Sequence, residues 1–206
     1  MSAVFSINII VNSRVLFETI INEIDNINKG YRFSLNEIIR IDNWEYQNEI
    51  IIPKDSYSLI DNYLEEGKKI IGSGVLKNNT CGFMLWYEKN ITCIDFWIST
   101  KYISELDSEI INQSNKKIYK DIIMCLTRIF KHFNLKWCIM GIEVEIPEEL
   151  SFEKSLEHNR NMITCWILPK KCKYEKPESY YIEIVSDFFV GMNKQFNTLD
   201  ILGKKE

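Results

Sequence analysis

Histidine is the scarcest reactive side chain in this sequence, with only His132 and His158 among 206 residues. No HExxH, no His/Cys cluster at metal-ligand spacing and no GxSxG elbow occurs, which excludes the familiar zinc-protease and serine-hydrolase patterns. His132 falls on the polar back of a helix among basic residues, and His158 lies in an acidic segment. The expectation is a chain with no catalytic residues, no metal site and no cofactor.

Long apolar runs are also missing, so no stretch reaches the length of a membrane span. Residues 1–11 lack the basic start and small-residue cleavage site of a secretory leader. Basic excess is absent: the net charge is -4, which argues against nucleic acid and anionic membrane as general partners. The six cysteines form no CxxC or other close pair, and reduced thiols in the cytoplasm are the simpler account. The run Gly67-Lys68-Lys69-Ile70-Ile71-Gly72-Ser73-Gly74 contains the residues of a phosphate loop in the wrong order. In a P-loop the glycines precede the Lys-Ser/Thr and a helix follows; here Gly67 ends a helix and strand follows.

What is present is apolar material for a core: 46% hydrophobic residues, 13% of all residues being aromatic, enough for a single α+β domain over 1–206. Val4 to Val11 reads as a buried strand. Ser13 is positioned to cap a helix to about Asn28, with Gly30 beyond it, and Asp55 to cap a second helix that stops at Gly67. Tyr31 to Ile41, Glu49 to Ile52 and Lys69 to Leu76 read as extended. The third helix, about Asn115 to Asn134, shows Tyr119, Ile122, Ile123, Leu126, Ile129, Phe130 and Phe133 at helical spacing. A strand Trp137 to Ile146, an acidic helical stretch to His158 and a strand Met162 to Leu168 follow. Residues 180–196 fit a helix by period and a strand by β-branched and aromatic content; the strand is preferred. The order implies a mostly antiparallel sheet with about three amphipathic helices packed on it.

The hairpin over residues 80–99 is the best-specified element. A two-residue turn at Lys89-Asn90 pairs Tyr87 with Thr92, Leu85 with Ile94, Phe83 with Phe96 and Cys81 with Ile98, placing those eight side chains on one core face. The opposite face carries Met84, Trp86, Cys93, Asp95 and Trp97. It is too apolar for ordinary wet surface, so a helix, another chain or a ligand must cover it. Cys81 and Cys93 fall on opposite faces and cannot bridge. Trp44, Trp137 and Trp166 are the remaining tryptophans. A second feature is the glutamate-rich segment Glu143, Glu145, Glu148, Glu149, Glu153 and Glu157, a solvated face or a patch complementary to a basic partner.

Five elements in order resemble the immunity proteins that accompany bacterial polymorphic toxins. They are the opening strand and helix Val4 to Asn28, the Gly82-Phe83-Met84-Leu85 hairpin strand, and the helix and Trp-containing strand over Asn115 to Glu145. The others are Trp166-Ile167-Leu168-Pro169 and the closing run Tyr180 to Asp187 with its apolar strand and Leu199-Asp200. The resemblance implies a non-enzymatic cytoplasmic protein that binds and blocks one cognate toxin protein. Such a protein needs a preformed, charge-complementary surface, and the candidate contact residues are Trp86, Asp95 and Trp97 with Glu143, Glu145, Glu148 and Glu149. Two alternatives remain open: a small enzyme with an acidic pocket near Asp95, and a homo-oligomeric subunit that buries the tryptophan face against its copy.

Overall fold

The computed structural model describes residues 3–27, 33–43, 45, 47–53, 55–76, 79–100, 110–175 and 177–196. Gly30, Trp44 and Leu199-Asp200 lie outside them. The fold is α+β, built on one open antiparallel sheet. Its strands are β1 (Val4–Val11), β2 (Phe33–Ile41), β3 (Ile50–Ile51), β4 (Lys69–Leu76), β5 (Asn79–Glu88), β6 (Ile91–Ser99), β7 (Leu135–Ile142), β8 (Ile163–Pro169), β9 (Tyr180–Val185) and β10 (Phe188–Asn193). They lie side by side in the order β3-β2-β4-β5-β6-β1-β7-β8-β10-β9. The first strand in the chain is thus central, paired with β6 on one side and β7 on the other.

Four helices are described rather than three. Helices α1 (Phe17–Ile27), α2 (Tyr57–Glu65) and α3 (Lys116–Ile129) bury their apolar sides in the larger core. That core gathers alternate strand residues, among them Phe5, Ile7, Phe83, Leu85, Cys138 and Ile167. Tyr119 of α3 meets the Phe5 ring edge-on at 5.6 Å, and Phe130 meets Phe188 at 6.1 Å. No described helix is long and apolar enough to cross a membrane.

Alternation then sends Ile10, Trp86, Cys93, Trp137, Ile139 and Trp166 to the opposite side of the sheet, where they form a second core. Its cover is α4 (Phe152–His158) and the segment 143–151 leading into it, called the strap below. Phe152 stands edge-on to Trp166 at 5.5 Å. The long third helix therefore covers the Phe5/Phe83 side, and the tryptophan side takes the shorter cover.

Local predictions fail where tertiary bonds intervene. Ser13 does not cap α1, because residues 13–15 are held to the hairpin. Thr92 Oγ1 donates to the Ser13 carbonyl at 2.7 Å and accepts from Val15 N–H at 3.0 Å, while Tyr87 donates to the Val15 carbonyl. Only then does the chain coil, with Phe17 N–H donating to Asp61 of α2. Asp55 does not cap α2 either; Ser56 stands at that position without a side-chain cap bond. The C-terminus is as read: Gly67 takes φ 78°, and Gly67 and Lys68 N–H groups close on the carbonyls of Leu64 and Tyr63. Residues 180–193 are a strand pair turning at Ser186-Asp187. The strand expected over Trp137 to Ile146 stops at Ile142, because Glu143 adopts φ 54° and donates its N–H to the Val4 carbonyl.

Candidate partner-binding face

The observed hairpin register pairs Tyr87 with Thr92, Leu85 with Ile94, Phe83 with Phe96 and Cys81 with Ile98, as the two-residue turn dictates. On the other face three rows run across the sheet. Trp86, Cys93, Ile10 and Trp137 make one; Met84, Asp95, Asn8, Ile139 and Trp166 make the next; Gly82, Trp97, Ser6 and Gly141 make the third.

The cover ends part-way along these rows. Trp86 is only 9% exposed and belongs to the enclosed core. Asp95 and Trp97 are half-buried at the margin. Trp97 lies over Gly82: a Cβ there would sit 2.3 Å from the indole ring. Only a glycine lets the indole settle that closely on the neighbouring strand. Trp86, Asp95 and Trp97 therefore share one face of the hairpin, with Trp86 enclosed and the other two half-buried.

Asp95 is electrostatically costly where it stands. Burial, with a smaller contribution from the Glu145 carboxylate, pushes its pKa from 3.8 up to about 6. One of its oxygens, Oδ1, is buried with no hydrogen-bond partner among the described residues. Directly opposite on β1, Asn8 is fully buried and both of its amide atoms are likewise unpartnered. Buried polar groups are normally satisfied, so two adjoining exceptions mark this point of the sheet. Asn8 is not among the residues that the sequence pattern singles out. Its signal was the Ser6/Asn8 alternation in an otherwise apolar strand, which puts two polar side chains on one face.

The glutamates are arranged by the strap. Glu143, Glu145, Glu148 and Glu149 are all exposed. Asn159, almost fully buried, acts on the strap like a strand edge: its Oδ1 accepts Glu145 N–H at 2.8 Å and its Nδ2 donates to the Glu145 carbonyl at 2.9 Å. The same Nδ2 donates to the Ser155 carbonyl in α4 at 3.0 Å, and Lys136 Nζ donates to the Leu150 carbonyl at 2.6 Å. Asn159→Ala leaves Glu145 N–H and carbonyl without these partners. It is expected to cost about 2 kcal/mol and to speed amide exchange at Glu145, read by hydrogen-exchange mass spectrometry. Exchange at wild-type rates would mean that Asn159 does not fix the strap.

Glu145 Oε2 also faces His158 Nε2 at 3.2 Å. Glu153 and Glu157 lie on α4, with Glu157 paired to Lys154. The structure thus brings Asp95 near Glu145 and sets the other three glutamates along the same strap, while Trp86 is sealed.

Other chemistry is sparse. No group of three His, Cys, Asp or Glu side chains that could hold a metal occurs among the described residues. All six cysteines are free, and burial pushes the Cys81 and Cys93 thiols up to about 12, which keeps them protonated and inert. A cleft of about 460 Å³ opens elsewhere, between Phe130, Phe133 and Phe188 with Lys131, Lys170, Lys171 and Asp187 around it. It is lined by none of the acidic candidates.

No known family model and no curated protein matches this chain. The geometry and the order of the sequence elements are what a functional reading rests on.

Proposed function

We propose that this is a non-catalytic immunity protein of a bacterial polymorphic toxin system, which binds a cognate toxin protein in the cytoplasm and blocks it. The observation that carries the reading is the preformed acidic surface: four exposed glutamates on a strap pinned by Asn159, beside the half-buried Asp95 and Trp97. A rigid array of like charges steers a basic partner and speeds encounter, and a rim tryptophan supplies the apolar contact that slows departure. The order of the sequence elements, which resembles such immunity proteins, supports it further.

The test is protection. The chain is co-expressed with the product of a neighbouring secreted-toxin gene, as wild type and as the Glu143→Lys/Glu145→Lys double variant. Both positions are exposed, so the variant is expected to fold as judged by circular dichroism. It is expected to lose protection, with association slowed on the order of tenfold or more at low salt. Unchanged protection would remove the strap from the contact surface.

A second reading has one observation in its favour. Glu145 is a second carboxylate close enough to influence Asp95, the kind of pair that an acid–base enzyme uses. It requires turnover of a small substrate that Asp95→Asn and Glu145→Gln each abolish. The binding reading requires no turnover at all.

A further inference from the structure

We propose that the margin of the tryptophan face at Asp95 is a receptor for an arginine side chain of the partner, whose guanidinium pairs with the Asp95 carboxylate and stacks on Trp97. This rests on the reading above that the acidic face docks a protein, and it names the group that the face receives.

Three observations carry it. The first is the unpaired polar pair: Asp95 and Asn8 stand directly opposite each other on β6 and β1, and Asp95 Oδ1 and both Asn8 amide atoms have no partner among the described residues. Groups directly across an antiparallel pair are close enough to touch. A rotamer change of Asn8 can thus turn its NH₂ toward a carboxylate held ionised by an arriving cation. The indole N–H groups of Trp137 and Trp166 in the second core, likewise without a partner, are fully buried beneath α4 and the strap. Asp95 is not; it stands where the cover ends.

The second is shape. Trp97 rests across Gly82, and it stands two residues along β6 from Asp95 on the same face of the sheet. A planar guanidinium can lie against an indole and present two parallel N–H groups to a carboxylate. A lysine ammonium is a more strongly hydrated point charge and gains less from such a pairing of indole and carboxylate.

The third is charge. Among the described groups on elements adjoining Asp95, β5 contributes Met84 and β1 contributes Asn8, neither of which titrates. The strap contributes the Glu145 carboxylate, which also faces His158 of α4. A cation therefore meets two carboxylates, and an anion is repelled. Because burial raises the Asp95 pKa to about 6, Asp95 itself is charged above that pH and uncharged below it, which weakens the site for a cation.

The experiment needs no toxin. N-acetylarginine amide is titrated into the full chain at pH 7.5, followed by tryptophan fluorescence and saturation-transfer NMR. N-acetylcitrulline amide, the neutral isostere, and N-acetyllysine amide are run beside it. A saturable response to the arginine compound is expected, at least about tenfold weaker for citrulline, as loss of a charge-assisted pair implies, and weaker also for lysine. Asp95→Asn is expected to abolish it while remaining folded, and moving to pH 5 to weaken it. Several results would overturn the assignment: no saturable response to arginine up to tens of millimolar, equal responses to arginine and citrulline or to arginine and lysine, or full binding by Asp95→Asn. None of these bears on the Glu143/Glu145 protection assay, so the two readings can fail separately.

Discussion

Gly141→Ala is expected to cost at least about 3 kcal/mol of folding stability. A Cβ at that position would stand 1.9 Å from the Met162 carbonyl oxygen and 2.9 Å from its carbon, with Val144 Cγ1 at 3.1 Å. The two nearest obstacles are backbone, so no rotamer change relieves the contact. The register between β7 and β8 slips at this point, and Gly141 lies in the row with Ser6 and Trp97 across β1. Relief would require the two strands to part where the strap begins. Urea unfolding measures the loss, and Gly67→Ala is the natural comparison. Gly67 has φ 78° but nothing within 4 Å of a built Cβ, so only backbone strain is added, about 1 kcal/mol. Equal losses at the two positions would mean that β7 and β8 do not approach as described.

Asp95→Asn is expected to stabilise the protein at neutral pH. The folded-state pKa is raised from 3.8 to about 6, so the sign is opposite to that of a salt-bridged carboxylate. Below pH 3.8 the group is protonated in both folded and unfolded chains and carries no penalty. Between pH 3.8 and about 6 the unfolded chain ionises while the folded chain, its carboxyl in a desolvated site, keeps the proton; above that both are ionised and the difference is complete. That transition costs the wild type up to roughly 3 kcal/mol. The asparagine variant escapes it, so at pH 7.5 it should be more stable by about 1–3 kcal/mol, with the gap closing toward pH 4. Asp42 and Glu157, whose pKa values are lowered by their own partners, titrate alike in both proteins and drop out of the difference. A wild type at least as stable as the variant at pH 7.5 would show that Asp95 has a partner after all.

The hairpin and α3 were legible because each is fixed by local rules. A two-residue turn sets the register of everything beyond it, and Tyr119, Ile123 and Leu126 fall inward by helical period alone. The start of α1 was not legible, since Thr92, Tyr87 and Asp61 determine it from 44 or more residues away. Nor was the end of β7: Glu143, Val144 and Glu145 continue a plausible alternation, and a single left-handed residue sends the chain across the sheet instead. That turn decided the candidate site. The period-2 reading found Trp86, Asp95 and Trp97 on one face, but only the path of the strap shows that Trp86 is enclosed and Asp95 marginal. Asn159 could not be found from the sequence, because its importance comes from bonding a segment 14 residues earlier.

The placement of Val4–Val11 between β6 and β7 has a consequence for biosynthesis. These eight residues, which precede both blocks in the chain, are the keystone joining one block of β2 to β6 and one of β7 to β10. They find their second neighbour only after Ile142 has left the ribosome, so long-range closure comes late. Until then the seam is open, and the acidic strap that begins at residue 143 has no floor to lie on. A half-made chain therefore lacks the closed seam, and the second core is complete only when the last block closes over this strand.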